Sequence, residues 1–277
     1  MRTVRMLQLY SALALLGALA ACSLIDVQTR VGVFAVGNSP RLEADVDVGR
    51  LSIRAGSADQ VRVEATLRHK RQTSYQVSQS GDTVHLSVRM AQGFSTISAE
   101  VPVEIAVAVP PNTDLDLRSS SGYLYVGNVS GHITVTSSAG GLQISDSQGT
   151  FELETQTGSI GCRRAQGSFQ IRTTIGAVDL SDVSGTWDVS TATGSIRFEG
   201  ELAAGQPQRF ASTGGDVDLH LLGSPDLRVD AFSQTGSVRC LADMATSVST
   251  VNLCRGVMGA GAGQLEVRTS TGAITIR

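Results

Sequence analysis

SSSGYLYVGNVSGHITVTSSAGGLQISDSQGTFELETQTGSIGCRRAQGSFQIRTTIGAVDLSDVSGTWDVSTATGSIRF, residues 119–198, decides the fold. Glycine returns every nine residues along it, from Gly122, Gly131 and Gly140 through to Gly194. Inward-type residues follow each glycine at the second and fourth places: Leu124 and Val126, Ile133 and Val135, Leu142 and Ile144, and so on to Ile196 and Phe198. A spacing of two is strand periodicity, with alternate side chains on one face. Glycine lets the backbone turn at each corner. Nine residues therefore make one short strand and one turn, and a fixed period signals a repeat architecture.

Alternate corners differ. Ser/Thr-rich motifs precede Gly122, Gly140, Gly158, Gly176 and Gly194, whereas NVSG, DSQG, RAQG and DVSG mark the others. The period is therefore eighteen residues, two strands and two corners. The predicted fold is all-β, a β-solenoid of the parallel β-helix kind with 18-residue two-strand coils about 4.8 Å apart. Equivalent residues then form columns. Phe151, Phe169 and Trp187 stand eighteen apart and are the expected buried core column.

Outside this stretch the rhythm loosens. STGG, SQTG and STG at 212–215, 233–236 and 270–272 continue it, and residues 199–211 and 241–262 read as longer loops. The glycine-repeat solenoid is assigned to 119–277 and a strand-rich N-terminal part to 41–118. Residues 22–40 read as a tether and 1–21 as a signal peptide. Arg2 and Arg5 precede an apolar run from Ser11 to Ala21, the length of a secretory core and too short to span a bilayer. It ends in Leu19-Ala20-Ala21-Cys22, which is similar to the lipobox of bacterial lipoproteins. That similarity implies export, lipid attachment at Cys22 by acyl chains such as palmitate, and a membrane anchor rather than a spanning helix. With Ser23 after the cysteine, the expected location in a Gram-negative cell is the outer membrane.

Removing residues 1–21 takes away only Arg2 and Arg5, leaving 20 basic against 25 acidic residues, a net charge of −5. No basic stripe appears, so nucleic acid is not an expected partner. Low charge suits stacked strands, where like charges in one column repel.

The segment VEIAVAVPPNTDLDLRSSSGYLYV at 103–126, followed by T-x-T-G-x-I units, resembles the bacterial putative adhesin family of β-solenoid domains, a family of unknown function. The resemblance covers residues 40–277. It implies a surface-exposed β-helical protein, and no catalytic residue carries over from it.

The chemistry-bearing residues are sparse. Cys162 and Cys240 occupy inward places and read as small buried hydrophobes. In an oxidising compartment Cys240 and Cys254 either bridge, stapling the 241–262 loop, or stay free. No Cys/His cluster has zinc spacing, and Asp146 and Asp182 share a corner column that intervening repeats do not fill, so no metal or other cofactor is expected. The hydroxyl column Ser119, Ser137, Thr155, Thr173, Thr191 is read as bonding to neighbouring coils rather than as an ice-binding array. His69, His85, His132 and His220 are scattered, and no G-x-S-x-G occurs. Asp179 and Asp188 fall on opposite strands of a coil, and Glu152 and Glu154 face outward. The expected function is a non-catalytic envelope lipoprotein whose adhesin-like surface meets a protein or glycan. The alternative is a polysaccharide-active β-helix enzyme of the envelope.

Overall fold

The structure, a computed structural model, describes residues 27–68, 72–91 and 101–277. The expected signal peptide and the expected lipid-bearing Cys22 lie outside the described residues. Every regular element described is a strand. The first six are β1 (Val27–Ala35), β2 (Arg41–Ala55), β3 (Gln60–Arg68), β4 (Thr73–Ser80), β5 (Thr83–Met90) and β6 (Val103–Val109). The repeat contributes β7 (Asp114–Gly127), β8 (Ser130–Ala139), β9 (Leu142–Ser145), β10 (Gln148–Thr157), β11 (Ile160–Arg163), β12 (Gln166–Ile175), β13 (Val178–Thr193) and β14 (Ile196–Leu202). The remainder are β15 (Pro207–Gly214), β16 (Val217–Leu221), β17 (Leu227–Ser233), β18 (Val238–Cys240), β19 (Ala245–Ser249), β20 (Leu253–Met258), β21 (Gly263–Thr271) and β22 (Ile274–Ile276).

Two parallel ladders stack face to face. On the first face β8, β10, β12 and the end of β13 pair residue i with i+18, aligning Ile133, Phe151, Phe169 and Trp187. On the second face Leu142, Ile160, Val178 and Ile196 align in the same way. Alternation buries one set of side chains between the faces, and the apolar columns there are almost fully excluded from solvent.

Glycine at the corners is a steric requirement. At Gly140 φ is +123°, and a Cβ would lie 1.6 Å from the carbonyl oxygen of Gly122 in the preceding coil. No side chain fits that approach. The other corner uses Asn128, Asp146, Arg164 and Asp182, one residue per coil, each with φ between 48° and 60°. Asn and Asp tolerate the left-handed region, whereas Arg does not favour it.

The hydroxyl column points inward and is buried. Thr173, Thr191 and Ser212 donate to the carbonyls of Gly158, Gly176 and Gly194 at 3.3, 3.2 and 2.9 Å. Each bond ties a strand end to the corner glycine of the coil before it.

The stack reaches beyond the glycine repeat at both ends. β2 pairs in parallel with β7 from Arg41 to Arg54, so the boundary expected at 118/119 falls inside one strand of a continuous ladder. β5 and β6 add a further layer beyond β2, and the antiparallel strands β4, β3 and β1 close this end. Residues 27–35, expected within the tether, form β1 instead, because nine consecutive residues pair with β3. At the other end the chain order breaks. β21 and β22 insert between β15–β16 and β17–β18, so that Phe210, Val267 and Ala231 are neighbours. The expected 241–262 loop contains β19 and β20, an antiparallel pair in which β20 lies antiparallel against β17 and finishes that end. Antiparallel closure limits the open edge that a parallel ladder would otherwise present.

Candidate functional site

The interior holds the residues singled out from the sequence. Phe151 stacks on Phe169 with centroids 4.3 Å apart, and Phe169 on Trp187 at 3.9 Å, the rings within 6° of parallel. The indole meets Phe198 edge-on at 5.6 Å. In the next coil Gln208 takes the place an aromatic would have, and its side-chain oxygen accepts a bond from the Trp187 backbone N–H at 2.8 Å. Trp187 is 1% exposed, so it offers no ring to a ligand. Cys240 and Cys254 are joined by a disulfide. Cys162 is buried in the column between Ile144 and Leu180, and burial pushes its thiol pKa up, away from reactivity.

The outer surfaces carry the chemistry that can meet a partner. On the first face an alternating ion-pair ladder crosses the last coils. Arg172 and Arg209 flank Asp188 at 3.8 and 3.5 Å. Arg209 also approaches Glu266 at 3.8 Å, and Arg268 joins Glu266 at 3.3 Å to Asp230 at 2.9 Å. Arg255 ends the series on Asp230 at 3.2 Å. Partial burial raises the Asp230 pKa, but the hydrogen bond and charge of Arg268, with Arg255 beside it, outweigh this and hold it below the usual value. A shallow groove of about 750 Å³ runs beside this end, walled by Arg228, Asp230, Arg255 and Gln264.

The second face differs. Tyr123 is 41% exposed, and its ring lies against Gly141 of the next coil, where a Cβ would come within 3.1 Å of it. Tyr125 projects from the same strand, and a Cβ at Gly127 would fall 2.6 Å from its hydroxyl oxygen. The Arg54 guanidinium sits 4.8 Å from the Tyr125 ring centroid. At the adjoining corner Arg164 grips Asp146 with two bonds, at 2.6 and 2.9 Å, which lower the Asp146 pKa. Gly141 in the next coil and Gly127 along the same strand thus give room to two aromatic rings, beside which stand two guanidinium groups. This patch was missed in the sequence. The signal was a pair of tyrosines at outward places of one coil, with Gly141 eighteen residues after Tyr123 and Gly127 two residues after Tyr125.

Asp179 and Asp188 lie on opposite faces, paired with Arg197 and with the first-face ladder respectively. His85 and His220 approach Glu43 and Glu199, on opposite faces of the stack. Among the described residues no group of three or more His, Cys, Asp or Glu is placed to hold a metal. No helix among them is long and apolar enough to cross a membrane.

The family model described as Toastrack DUF4097 matches residues 41–277. The chain belongs to the Toastrack DUF4097 family. This is a domain of unknown function, and its matched region starts at the first residue of β2. No curated protein matches the chain. Among solved structures it is similar to a putative adhesin of Bacteroides fragilis, with 9% identity over 90% of this chain and 97% of that one and a TM-score of 0.41. It is similar to a putative cell adhesion protein of Clostridium sporogenes, with 11% identity, 90% and 99% coverage and a TM-score of 0.29. A putative lipid binding protein of Parabacteroides distasonis is similar at 10% identity, with 91% and 98% coverage and a TM-score of 0.30.

Proposed function

We propose that this Toastrack protein is a non-catalytic β-solenoid of the cell envelope, exported and held to the membrane by lipid at Cys22, whose second face binds a surface partner. The observation that carries this reading is the Tyr123–Tyr125–Arg54 patch. An exposed Tyr123 ring and a half-buried Tyr125 ring beside guanidinium groups on a rigid sheet give contact area at little entropic cost, the property of binding hot spots. A glycan is the partner this chemistry suits best, because sugar C–H faces stack on tyrosine while arginine and the amide of Gln143, the residue paired with Tyr125 in the next coil, meet hydroxyls. Parallel strands bonded on both sides make the platform preorganised.

The test is binding of the purified protein to isolated cell-surface polysaccharide, compared with Tyr123→Ala and Tyr125→Ala. The reading expects saturable binding that falls at least tenfold in each variant with melting temperature unchanged. Equal binding by all three proteins would overturn the patch as the site. Shortening of the polysaccharide during incubation would overturn the non-catalytic reading.

A further inference from the structure

The apolar pattern of β1 is turned outward. Its register on β3 sets Gln28, Arg30, Gly32 and Phe34 opposite Leu67, Ala65, Val63 and Val61, all four of which are buried. Directly opposed residues share a face of the sheet. The intervening Val27, Val31 and Val33 therefore face away from the core, and they are 48%, 54% and 53% exposed. A one-residue slip would bury the three valines in exchange for Phe34, which packs against the core, so burial alone does not explain this register. The stripe spans about 20 Å along the strand at the ordinary rise. β1 is also the end strand of its face, bonded to β3.

Chain length says what lies opposite. Four residues separate Cys22 from Val27. Fully extended, that connection reaches at most about 18 Å. A lipid anchor at Cys22 would keep Val27, the first residue of β1, within that distance of the bilayer interface. The same end carries Arg30, whose guanidinium sits 5.6 Å from the Tyr75 ring, and arginine and tyrosine both settle at headgroup depth. β1 precedes the region shared with the family, which begins at Arg41.

We infer that β1 is a membrane-facing strand, and that Val27, Val31 and Val33 enter the interfacial layer of the bilayer that anchors Cys22. The inference rests on the proposed lipidation. It orients the stack with its N-terminal end on the lipid. Tyr125 shares the outward column of Val31 but lies four strand spacings, about 19 Å, along the sheet, so the upright stack holds the Tyr123–Tyr125 patch clear of the lipid.

The experiment uses full-length protein matured in cells and reconstituted into vesicles of phosphatidylethanolamine and phosphatidylglycerol. Val31→Cys and, separately, Val33→Cys are labelled with an environment-sensitive fluorophore. Ile175→Cys, exposed in mid-stack, is the control. Native Cys162 is buried and does not compete for label. Mass spectrometry of the same samples reports acylation of Cys22. The expected result is acylated Cys22, with labels at 31 and 33 blue-shifted and quenched by brominated acyl chains severalfold more than the label at 175. Acylated protein with equal quenching at all three sites would overturn the membrane-facing strand and leave the lipoprotein reading standing. An unacylated N-terminus would overturn both. Efficient disulfide cross-linking of two unlabelled Val31→Cys molecules to each other, without lipid quenching of the labelled protein, would assign β1 to pairing with a second copy. That outcome would also overturn the inference.

Discussion

Arg164 bonds Asp146 across one coil step, and both residues hold left-handed backbone, with φ of 48° and 53°. The pair links the strained corners of adjacent coils. Arginine gains from the ion pair and loses from its conformation, so substitution separates the two. Arg164→Ala keeps the backbone cost and removes the pair. Arg164→Gly removes both. The glycine variant is therefore expected to melt above the alanine variant, the reverse of their order at an ordinary strand position. Thermal melts of the two proteins check this, and added salt should lower wild type relative to both variants while leaving the gap between alanine and glycine unchanged.

Glycine corners are predicted to fail in proportion to crowding rather than to φ. A Cβ at Gly167 would lie 1.9 Å from the carbonyl oxygen of Gly149, whereas a Cβ at Gly205 meets nothing within 4 Å. Both have positive φ, 141° and 69°. Gly205→Ala should cost about 1–2 kcal/mol, the left-handed penalty alone. Gly167→Ala forces two coils apart and should cost more than about 4 kcal/mol. Denaturant unfolding measures both, and similar costs would show that the corner is more compliant than its geometry indicates.

Much of this architecture was legible because each coil repeats one steric rule. Gly122 to Gly194 mark where no Cβ fits, and alternation after each marks the interior. What the sequence hid depends on pairing between distant segments. Gly263 and Gly272 keep the nine-residue spacing, yet nothing local tells that Val267 lies between Phe210 and Ala231. β1 was hidden because its valines point the wrong way for a core strand. The left-handed corner was half visible in Asn128, Asp146 and Asp182, and Arg164 masked it. The Tyr123–Gly141 contact emerges only once residues eighteen apart are set side by side.

Acid should weaken the C-terminal coils. Asp230 has a folded pKa below its ordinary value, chiefly through Arg268. A depressed carboxylate contributes stability above its unfolded pKa, about 4, and loses it as pH falls through the folded value. Between pH 6 and pH 3 the wild type should therefore lose more stability than Asp230→Asn. Equal slopes for the two proteins would assign acid sensitivity elsewhere.

Reduction of Cys240–Cys254 should destabilise the same end. The bridge closes a loop with sequence separation 14 and ties β18 to the β20 hairpin that finishes the first face. Closing a loop of that size is worth about 3 kcal/mol in the unfolded-chain entropy account. Cys240→Ser/Cys254→Ser should show early hydrogen exchange in β17, β19 and β20, with β8, β10 and β12 still protected. Uniform loss of protection along the stack would mean that the coils unfold as one unit.

The aromatic column gives the sharpest contrast, because Trp187 and its neighbour Asp188 share a backbone and differ only in the side of the sheet they occupy. Trp187 is enclosed by Phe169 beneath and Phe198 at its edge, with Gln208 bonded to its backbone N–H. Trp187→Ala removes the largest buried side chain and leaves a cavity lined by rings that cannot collapse, because parallel ladders on both sides fix the coil spacing. The expected cost is about 3–5 kcal/mol. Asp188 pairs with Arg172 and Arg209 on the exposed surface, where two moderately long contacts are screened by water. Asp188→Ala should cost under about 1 kcal/mol, and less at high salt. Denaturant melts of the two single variants decide the register of the first face. A damaging Asp188→Ala beside a mild Trp187→Ala would reverse inside and outside along the whole ladder, and would turn the stacked rings of Phe151, Phe169 and Trp187 into an open binding strip.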